Sequence, residues 1–173
     1  MLSCLENPGD PCILDLGFIL DASGSITFAW PGVRQFVANV VRQVNVSADG
    51  SHIGVIKFGA DSNVEFGFSE GQDKDAVINR VLNLAGPEPF ANTQLHLGIK
   101  DANEKLYNNA TSSYRTDPSV RKVRPYYFLQ QESRSRGLSV AQLVCYLCSQ
   151  SRVNNARSSG LIFSDFDSLE SLL

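Results

Sequence analysis

Apolar residues occur with two different spacings along this chain, and the spacings predict strands that alternate with helices. The run from Ile13 to Leu20 is nearly all apolar, as expected for a strand buried on both faces of a parallel sheet. From Trp30 to Val44, apolar residues recur at steps of three and four, which predicts a helix with one face against the sheet. Pro31 suits the first turn of this helix, where its missing N–H group is not needed.

The alternation continues in the following segments. His52 to Phe58 is predicted to be a strand, Val64 to Phe68 its short edge partner, and Asp73 to Leu84 a helix. A further helix is predicted to begin at Thr93. This order predicts an α/β fold with a doubly wound, mostly parallel sheet flanked by helices. Such sheets bind ligands at the carboxyl ends of their strands.

Three side chains that carry oxygen follow the first strand at alternate positions, in Asp21-Ala22-Ser23-Gly24-Ser25. Alternate side chains in a turn can converge, and a carboxylate with two hydroxyls offers the hard oxygen ligands that Mg²⁺ prefers. Gly24 is expected to allow backbone angles that a larger residue would resist. The same pentapeptide is equally typical of a polar turn in which Asp21 caps the next helix. The motif alone leaves both interpretations open.

The surroundings of this motif resemble the von Willebrand factor A domain and its metal-ion-dependent adhesion site. The matching parts are the motif after its strand, Ile26 with the helix from Phe28, the strand Ile53 to Phe58, and the segment Asn92 to Ile99. The resemblance implies a Rossmann-like α/β fold. We expect this domain to occupy residues 13–173, after a linker of residues 1–12.

The resemblance also implies roles for individual residues. Asp21 would bind the cation or its water shell, Ser23 and Ser25 would coordinate it through hydroxyls, and Thr93 would enter or leave the first shell. Thr93 is also suited to be a plain helix N-cap. The family's remaining ligand is an aspartate after the fourth strand, and Gln130 stands nearest to its place. With one anionic ligand instead of two, the expected affinity for Mg²⁺, or for Mn²⁺ or Ca²⁺, is lower.

The resemblance weakens in the C-terminal third. Val120 to Leu129 is in the place of the next central strand, yet it contains Pro125, which removes a ladder hydrogen bond and makes the segment a poor strand candidate. Leu138 to Leu147 has a helical pattern, and the closing strand is expected at Leu161 to Phe163. Related domains have a further strand and helix in the short interval between the last two, so the sequence predicts a fold without them.

Length and charge limit the classes of function. The chain of 173 residues suits one domain. Its net charge of −3 does not predict a basic surface for nucleic acid or an anionic membrane. No apolar run approaches the roughly 20 residues that span a bilayer. The sequons at Asn45 and Asn109 suit a secreted glycoprotein.

The four cysteines leave the redox state open. Cys4 and Cys12 flank a turn near the N-terminus, where they can form a disulfide. Cys145 and Cys148 have the spacing of zinc ligands, but no further ligand is near them in sequence, so buried thiols are expected.

The expected function is that of an extracellular, secreted adhesion or matrix module. Its partner would be a matrix or cell-surface protein, collagen-like or other, that offers an acidic side chain to the cation. An enzyme is the rival class, but only His52 and His96 are available as the base for a serine nucleophile, and no nucleophile elbow or phosphate-binding glycine loop is present. A degenerate domain that binds no metal is the third hypothesis.

Overall fold

Five strands form one sheet in the computed structural model, which describes residues 13–107, 115–117, 120–127 and 160–163. In chain order the strands are β1 Leu14–Asp21, β2 His52–Phe58, β3 Ser62–Phe66, β4 Arg121–Tyr127 and β5 Gly160–Phe163. Their spatial order is β3-β2-β1-β4-β5. The β2–β3 pair is antiparallel and the other pairs are parallel. The predicted α/β class with a mostly parallel sheet is confirmed, and β1 is its central strand.

The described helices follow the strands as the periodicity predicts. They are α1 Trp30–Gln43, α2 Lys74–Leu82 and α3 Leu95–Asp101, which continues as a π-helical segment, Ala102–Leu106. The side chain of Asp73 caps α2 by accepting a hydrogen bond from the Ala76 N–H at 2.8 Å. None of the helices in the described ranges is long and apolar enough to cross a membrane.

Helices cover β1 on both faces. Its even-numbered residues lie in a buried cluster with side chains of α1 and α2. Ile19 belongs to a second cluster, which contains Leu106 and Tyr107, and it lies on the opposite face because successive strand residues alternate. A Cβ at Gly17 would lie 2.6 Å from the Tyr107 hydroxyl oxygen, so only glycine lets this segment pack so closely. The predicted burial of β1 on both faces is therefore confirmed.

The segment that contains Pro125 is a strand in the sheet interior, which corrects the expectation that proline makes it a poor candidate. Pairing between β1 and β4 runs to Leu16↔Val123 and resumes at Ile19↔Tyr126. The gap in this register includes Pro125, which has no N–H to donate. The sheet tolerates the residue by omitting pairs there, while β4 still pairs with β5 on its other side.

The closing strand pairs directly with β4, from Arg124↔Gly160 to Tyr127↔Phe163. β5 is therefore the direct neighbour of β4 in the sheet. The interval in which the sequence predicts the loss of a strand and a helix, before residue 160, lies outside the described residues. The predicted helix at Leu138 to Leu147, the linker of residues 1–12 and all four cysteines lie outside the described residues.

A buried carboxylate interrupts the otherwise apolar β1. Asp15 is fully buried. Its Oδ1 accepts two hydrogen bonds from Arg115, one from Nε at 2.9 Å and one from Nη2. Arg115 Nη1 also donates to the Gly50 carbonyl at 2.7 Å. His52 Nδ1 lies 3.9 Å from Asp15 Oδ1. These contacts tie residue 115 to the amino-terminal end of the central strands.

Replacing Arg115 with methionine would leave the Asp15 carboxylate buried without its main partner. We expect Arg115→Met to lower the free energy of unfolding by about 3 kcal/mol, because an uncompensated buried charge is strongly unfavourable. Urea unfolding followed by circular dichroism measures the change.

The matched control is Arg42→Met, which replaces an exposed arginine of α1. Its free energy of unfolding should change by less than about 1 kcal/mol. Equal effects of the two variants would contradict the role of Arg115 as the partner of Asp15.

Candidate metal centre

The predicted motif begins at the carboxyl end of the central strand. Asp21 is the last residue of β1 and is paired with Phe58, the last residue of β2. The Ala22 N–H extends this contact by donating to the Phe58 carbonyl at 2.7 Å. A short 3₁₀ turn, Gly24–Ile26, then leads towards α1. The motif therefore lies at the edge of the sheet where ligands of such folds bind.

Three predicted ligands, Asp21, Ser23 and Ser25, lie together. Asp21 Oδ1 accepts a hydrogen bond from the Ser23 N–H at 2.8 Å. The Oγ atoms of Ser23 and Ser25 are 3.1 Å apart and share a hydrogen bond. Asp21 and Ser23 are buried, whereas Ser25 is exposed. The loop thus gathers oxygens at a place that a partner can reach from solvent.

The distance between the two serine hydroxyls is compatible with a small divalent cation as well as with their hydrogen bond. An octahedral ion with ligands at 2.0–2.1 Å holds neighbouring ligands about 2.9 Å apart, close to the 3.1 Å between the two serine hydroxyls. The charge of the donor set is low. No group of three or more His, Cys, Asp or Glu side chains suited to a metal occurs among the described residues. Asp21 is the one anionic residue of the predicted ligand set.

Gly24 is required by close packing, not by its backbone angles. No glycine in the described part of the chain has a positive φ, so the expectation of special angles at Gly24 is wrong. A Cβ at this position would lie 2.6 Å from the backbone nitrogen of Phe90. The Gly24 N–H also donates to the Ala91 carbonyl at 3.1 Å. Glycine here allows a second loop to lie directly against the motif.

Thr93 lies on that second loop but does not begin the helix. Gln94 occupies the N-cap position and α3 begins at Leu95, so the prediction of a helix start or N-cap at Thr93 is wrong. The backbone N–H of Gln94 donates to the Gly59 carbonyl at 3.0 Å, and its side-chain amide donates to the Ala60 carbonyl at 2.8 Å. These long-range bonds fix where the helix starts.

The fourth predicted ligand is not joined to the other three. Thr93 is exposed, and the hydrogen bonds found among the described residues do not connect it to Asp21, Ser23 or Ser25. Its loop is nevertheless held near the motif at Ala91. Gln130 lies outside the described residues.

Two exposed phenylalanines beside the motif were not singled out by the sequence analysis. Phe28 is 99% exposed and Phe90 is 97% exposed. Phe90 also has a φ of 64°, a conformation that costs of order 1–3 kcal/mol for a bulky residue and persists only where the surroundings enforce it. Pro87 and Pro89 on either side of Glu88 mark a loop in the sequence, but the contact with Gly24 that shapes it is not visible there.

A cavity of about 270 Å³ lies next to the two loops. Its lining includes Ala22, Gly59 and Ala91, together with the exposed carboxylate residues Asp61 and Glu88. Lys57 also lines it, so the cavity has a mixed apolar and charged surface.

His52 cannot serve as a base for Ser23. It begins β2, is paired with Asp15, and its Nε2 lies 3.0 Å from the Ala48 carbonyl. Ser23 follows the opposite end of the strands, about 20 Å away along six strand residues. His96 lies in the first turn of α3 and is exposed. The geometry thus excludes His52 as the general base for a nucleophile at Ser23.

Comparison with known proteins gives a consistent family match. A family model described as the von Willebrand factor type A domain matches residues 15–124. The chain is 32% identical to von Willebrand factor of Rattus norvegicus over 87 residues, which are 48% of this chain and 20% of that protein. It is 27% identical to matrilin-4 of Mus musculus over 126 residues, 69% of this chain and 19% of that protein. The chain therefore spans about a fifth of the length of these relatives.

Solved structures show the same fold at low identity. Proximal thread matrix protein 1 from the mussel byssus matches with a TM-score of 0.62 and 16% identity, over 94% of this chain and 46% of that chain. A structure of the same protein with zinc in its metal-ion-dependent adhesion site (MIDAS) motif has a TM-score of 0.61. At this identity the likeness establishes the fold alone.

Adding one methyl group at Gly24 should separate the two loops. We expect Gly24→Ala to lower the free energy of unfolding by about 1–3 kcal/mol, because the new Cβ meets backbone atoms that cannot rotate away. Urea unfolding measures this change.

Gly32→Ala is the matched control, since a Cβ there would meet nothing within 4 Å. Gly32 lies inside α1, so this variant should raise the free energy of unfolding by up to about 1 kcal/mol. A Gly24→Ala variant as stable as Gly32→Ala would disprove the close packing at Gly24.

Proposed function

This chain belongs to the von Willebrand factor type A domain family, and from that membership we propose that it is an adhesion or matrix module that binds a partner protein through a divalent cation. The observation that carries the proposal is the convergence of Asp21, Ser23 and Ser25 at the carboxyl edge of the sheet. The family match supports the fold and the class of module, while the metal and its partner are our proposal.

Asp21, Ser23 and Ser25 would hold the ion, and Thr93 would enter or leave its first shell through the side-chain hydroxyl. When bound, Mg²⁺ would supply a positive centre with positions open to an outside oxygen. A carboxylate of the partner is the natural occupant, since a charge-assisted contact is stronger than a neutral one and gains further strength where water is partly excluded. The half-exposed arrangement, with Asp21 buried and Ser25 at the surface, suits this role.

The small number of negative charges sets the expected affinity. One carboxylate and two hydroxyls attract a hard cation less strongly than two carboxylates would. A partner that brings its own carboxylate would add the missing negative charge. We therefore propose that metal and partner bind cooperatively, each weakly without the other.

An extracellular setting is the second part of the proposal. It is supported by similarity to matrilin-4 and von Willebrand factor. The Asn45 sequon is on the surface, where an acceptor must be. The partner would be a matrix or cell-surface protein, collagen-like or other.

The low charge of the site favours a second candidate, a family member that binds partners without metal. In that case Asp21 would only hold the loop, through its hydrogen bond with the Ser23 N–H. The two candidates differ in whether the charge of Asp21 matters, and the next two experiments separate them.

Thermal melting with Mg²⁺ tests whether the oxygens form a metal site. At about ten times its dissociation constant, the ion should stabilise the domain by about 1.4 kcal/mol and raise Tm by about 3–5 °C. Asp21→Asn should abolish the shift, because asparagine keeps an oxygen for the Ser23 N–H but removes the charge.

Asp49→Asn is the control for that experiment. Asp49 is exposed and precedes β2, at the end of the sheet opposite the motif, and its replacement removes the same charge. This variant should keep the full Mg²⁺ shift. If both Asp21→Asn and Asp49→Asn lose the Mg²⁺-induced rise in Tm, or if both keep it, a metal site at Asp21 is contradicted.

Adhesion to a panel of purified matrix proteins, collagen included, tests the proposed role. We expect binding in Mg²⁺ that is lost in a chelator and in Asp21→Asn, and kept in Asp49→Asn. Surface plasmon resonance measures it. Binding that survives both the chelator and Asp21→Asn would rule out the cation bridge and favour the metal-independent candidate.

A further inference from the structure

Phe28 and Phe90 lie on the two backbone segments that meet at the proposed metal site, where the Gly24 N–H donates to the Ala91 carbonyl. Phe28 follows Ser25 by three residues, within the turn that the Ala29 N–H closes by donating to the Ile26 carbonyl at 2.9 Å. Phe90 lies on the second loop, where a Cβ at Gly24 would be 2.6 Å from its backbone nitrogen. Both rings are almost completely exposed, and no other large apolar side chain in the described residues has this exposure. Their position at the rim of the motif links them to whatever binds there.

Phe90 is held in an unfavourable conformation with no benefit to the core. Its φ of 64° is the one positive value among the described non-glycine residues, and its ring contacts solvent. Asparagine or glycine would adopt this backbone conformation more easily. Strain of this kind is typical of functional surfaces, where the structure holds a side chain out for a ligand.

The charges near Phe28 and Phe90 indicate how many acidic side chains a partner segment can bring to this surface. Residues 22–30 and 86–96, which form the two flanks, contain no lysine or arginine. The adjoining cavity is lined by the exposed carboxylates Asp61 and Glu88 and by Lys57, whose ammonium pairs with Glu65 at 3.0 Å. A segment with several acidic residues would meet repulsion from Asp61 and Glu88, while the ammonium of Lys57 is already engaged by Glu65. One acidic residue with apolar neighbours fits both the metal and the rings.

We infer that Phe28 and Phe90 select a partner segment in which a single acidic side chain is flanked by apolar side chains. This inference rests on the proposed function, since the acidic side chain would bind the cation held by Asp21, Ser23 and Ser25. The rings bury the apolar neighbours, as aromatic residues do at the centres of protein interfaces. Specificity then comes from the two loops and not from the metal.

Two immobilised peptides of equal length and charge test the inference. One has a central glutamate flanked by leucines, and the other has the same glutamate flanked by serines. In Mg²⁺ the domain should bind the leucine-flanked peptide about tenfold more tightly, the effect of burying apolar area worth roughly one aliphatic side chain. A third peptide, with glutamates in place of the leucines, should bind no better than the serine-flanked peptide.

Variants of the two rings identify the surface responsible. Phe28→Ser and Phe90→Asn should each lower affinity for the leucine-flanked peptide by about tenfold. Phe28→Leu keeps an apolar side chain and should retain the preference, as should the distant Asp49→Asn. Phe90→Asn should melt no lower than the original protein, because asparagine tolerates the backbone conformation. That result shows that a loss of binding is not a loss of fold.

The possible failures are distinguishable. Equal, chelator-sensitive binding of the leucine- and serine-flanked peptides would overturn the role of the rings and leave the proposed function intact. Absence of a Mg²⁺ shift in thermal melting would overturn the proposed function, and this inference with it. Sedimentation that shows self-association lost in Phe28→Ser would assign the rings to a contact between copies of the chain, and would also overturn the inference.

Discussion

The complete burial of β1 is the constraint on which the rest of the structure depends. All eight of its residues are buried, with β2 and β4 on its edges and helices against its faces. A strand enclosed in this way has one position and one register, because a shift by one residue would move every side chain to the wrong face. The chain must leave the sheet after Asp21, and the oxygens of the motif are placed at its edge for that reason.

Backbone contacts between loops shape the candidate site before any ligand binds. Backbone hydrogen bonds join Ala22 to Phe58, Gly24 to Ala91, and Gln94 to Gly59. Three separate segments therefore hold one another in place. The polar side chains then need little rearrangement to receive a cation, which lowers the cost of binding. Their low charge has the opposite effect on affinity. A rigid site with little charge is suited to a ligand that supplies charge of its own.

The sequence predicts those parts of the structure that local patterns control. The apolar run of β1 and the spacing of α1 follow from burial, and the alternate oxygens of the motif follow from a turn after a strand. The sequence analysis did not identify Asp15 as part of a buried ion pair, because its partner, Arg115, is 100 residues away in the sequence. The start of α3 and the strained conformation of Phe90 depend on contacts with other loops, and these override local propensity. Such long-range contacts are where pattern analysis fails in this chain.

Paramagnetic broadening by Mn²⁺ in nuclear magnetic resonance spectra tests the central claim most directly, because it locates the ion without requiring a partner. At low Mn²⁺ concentrations, the amide signals of Ser23 and Ser25 should lose intensity first and that of Asp49 last. Mg²⁺ should restore the signals by competition. Broadening that is uniform, or that is centred on the exposed carboxylates Asp61 and Glu88, would contradict a cation site at the edge of β1.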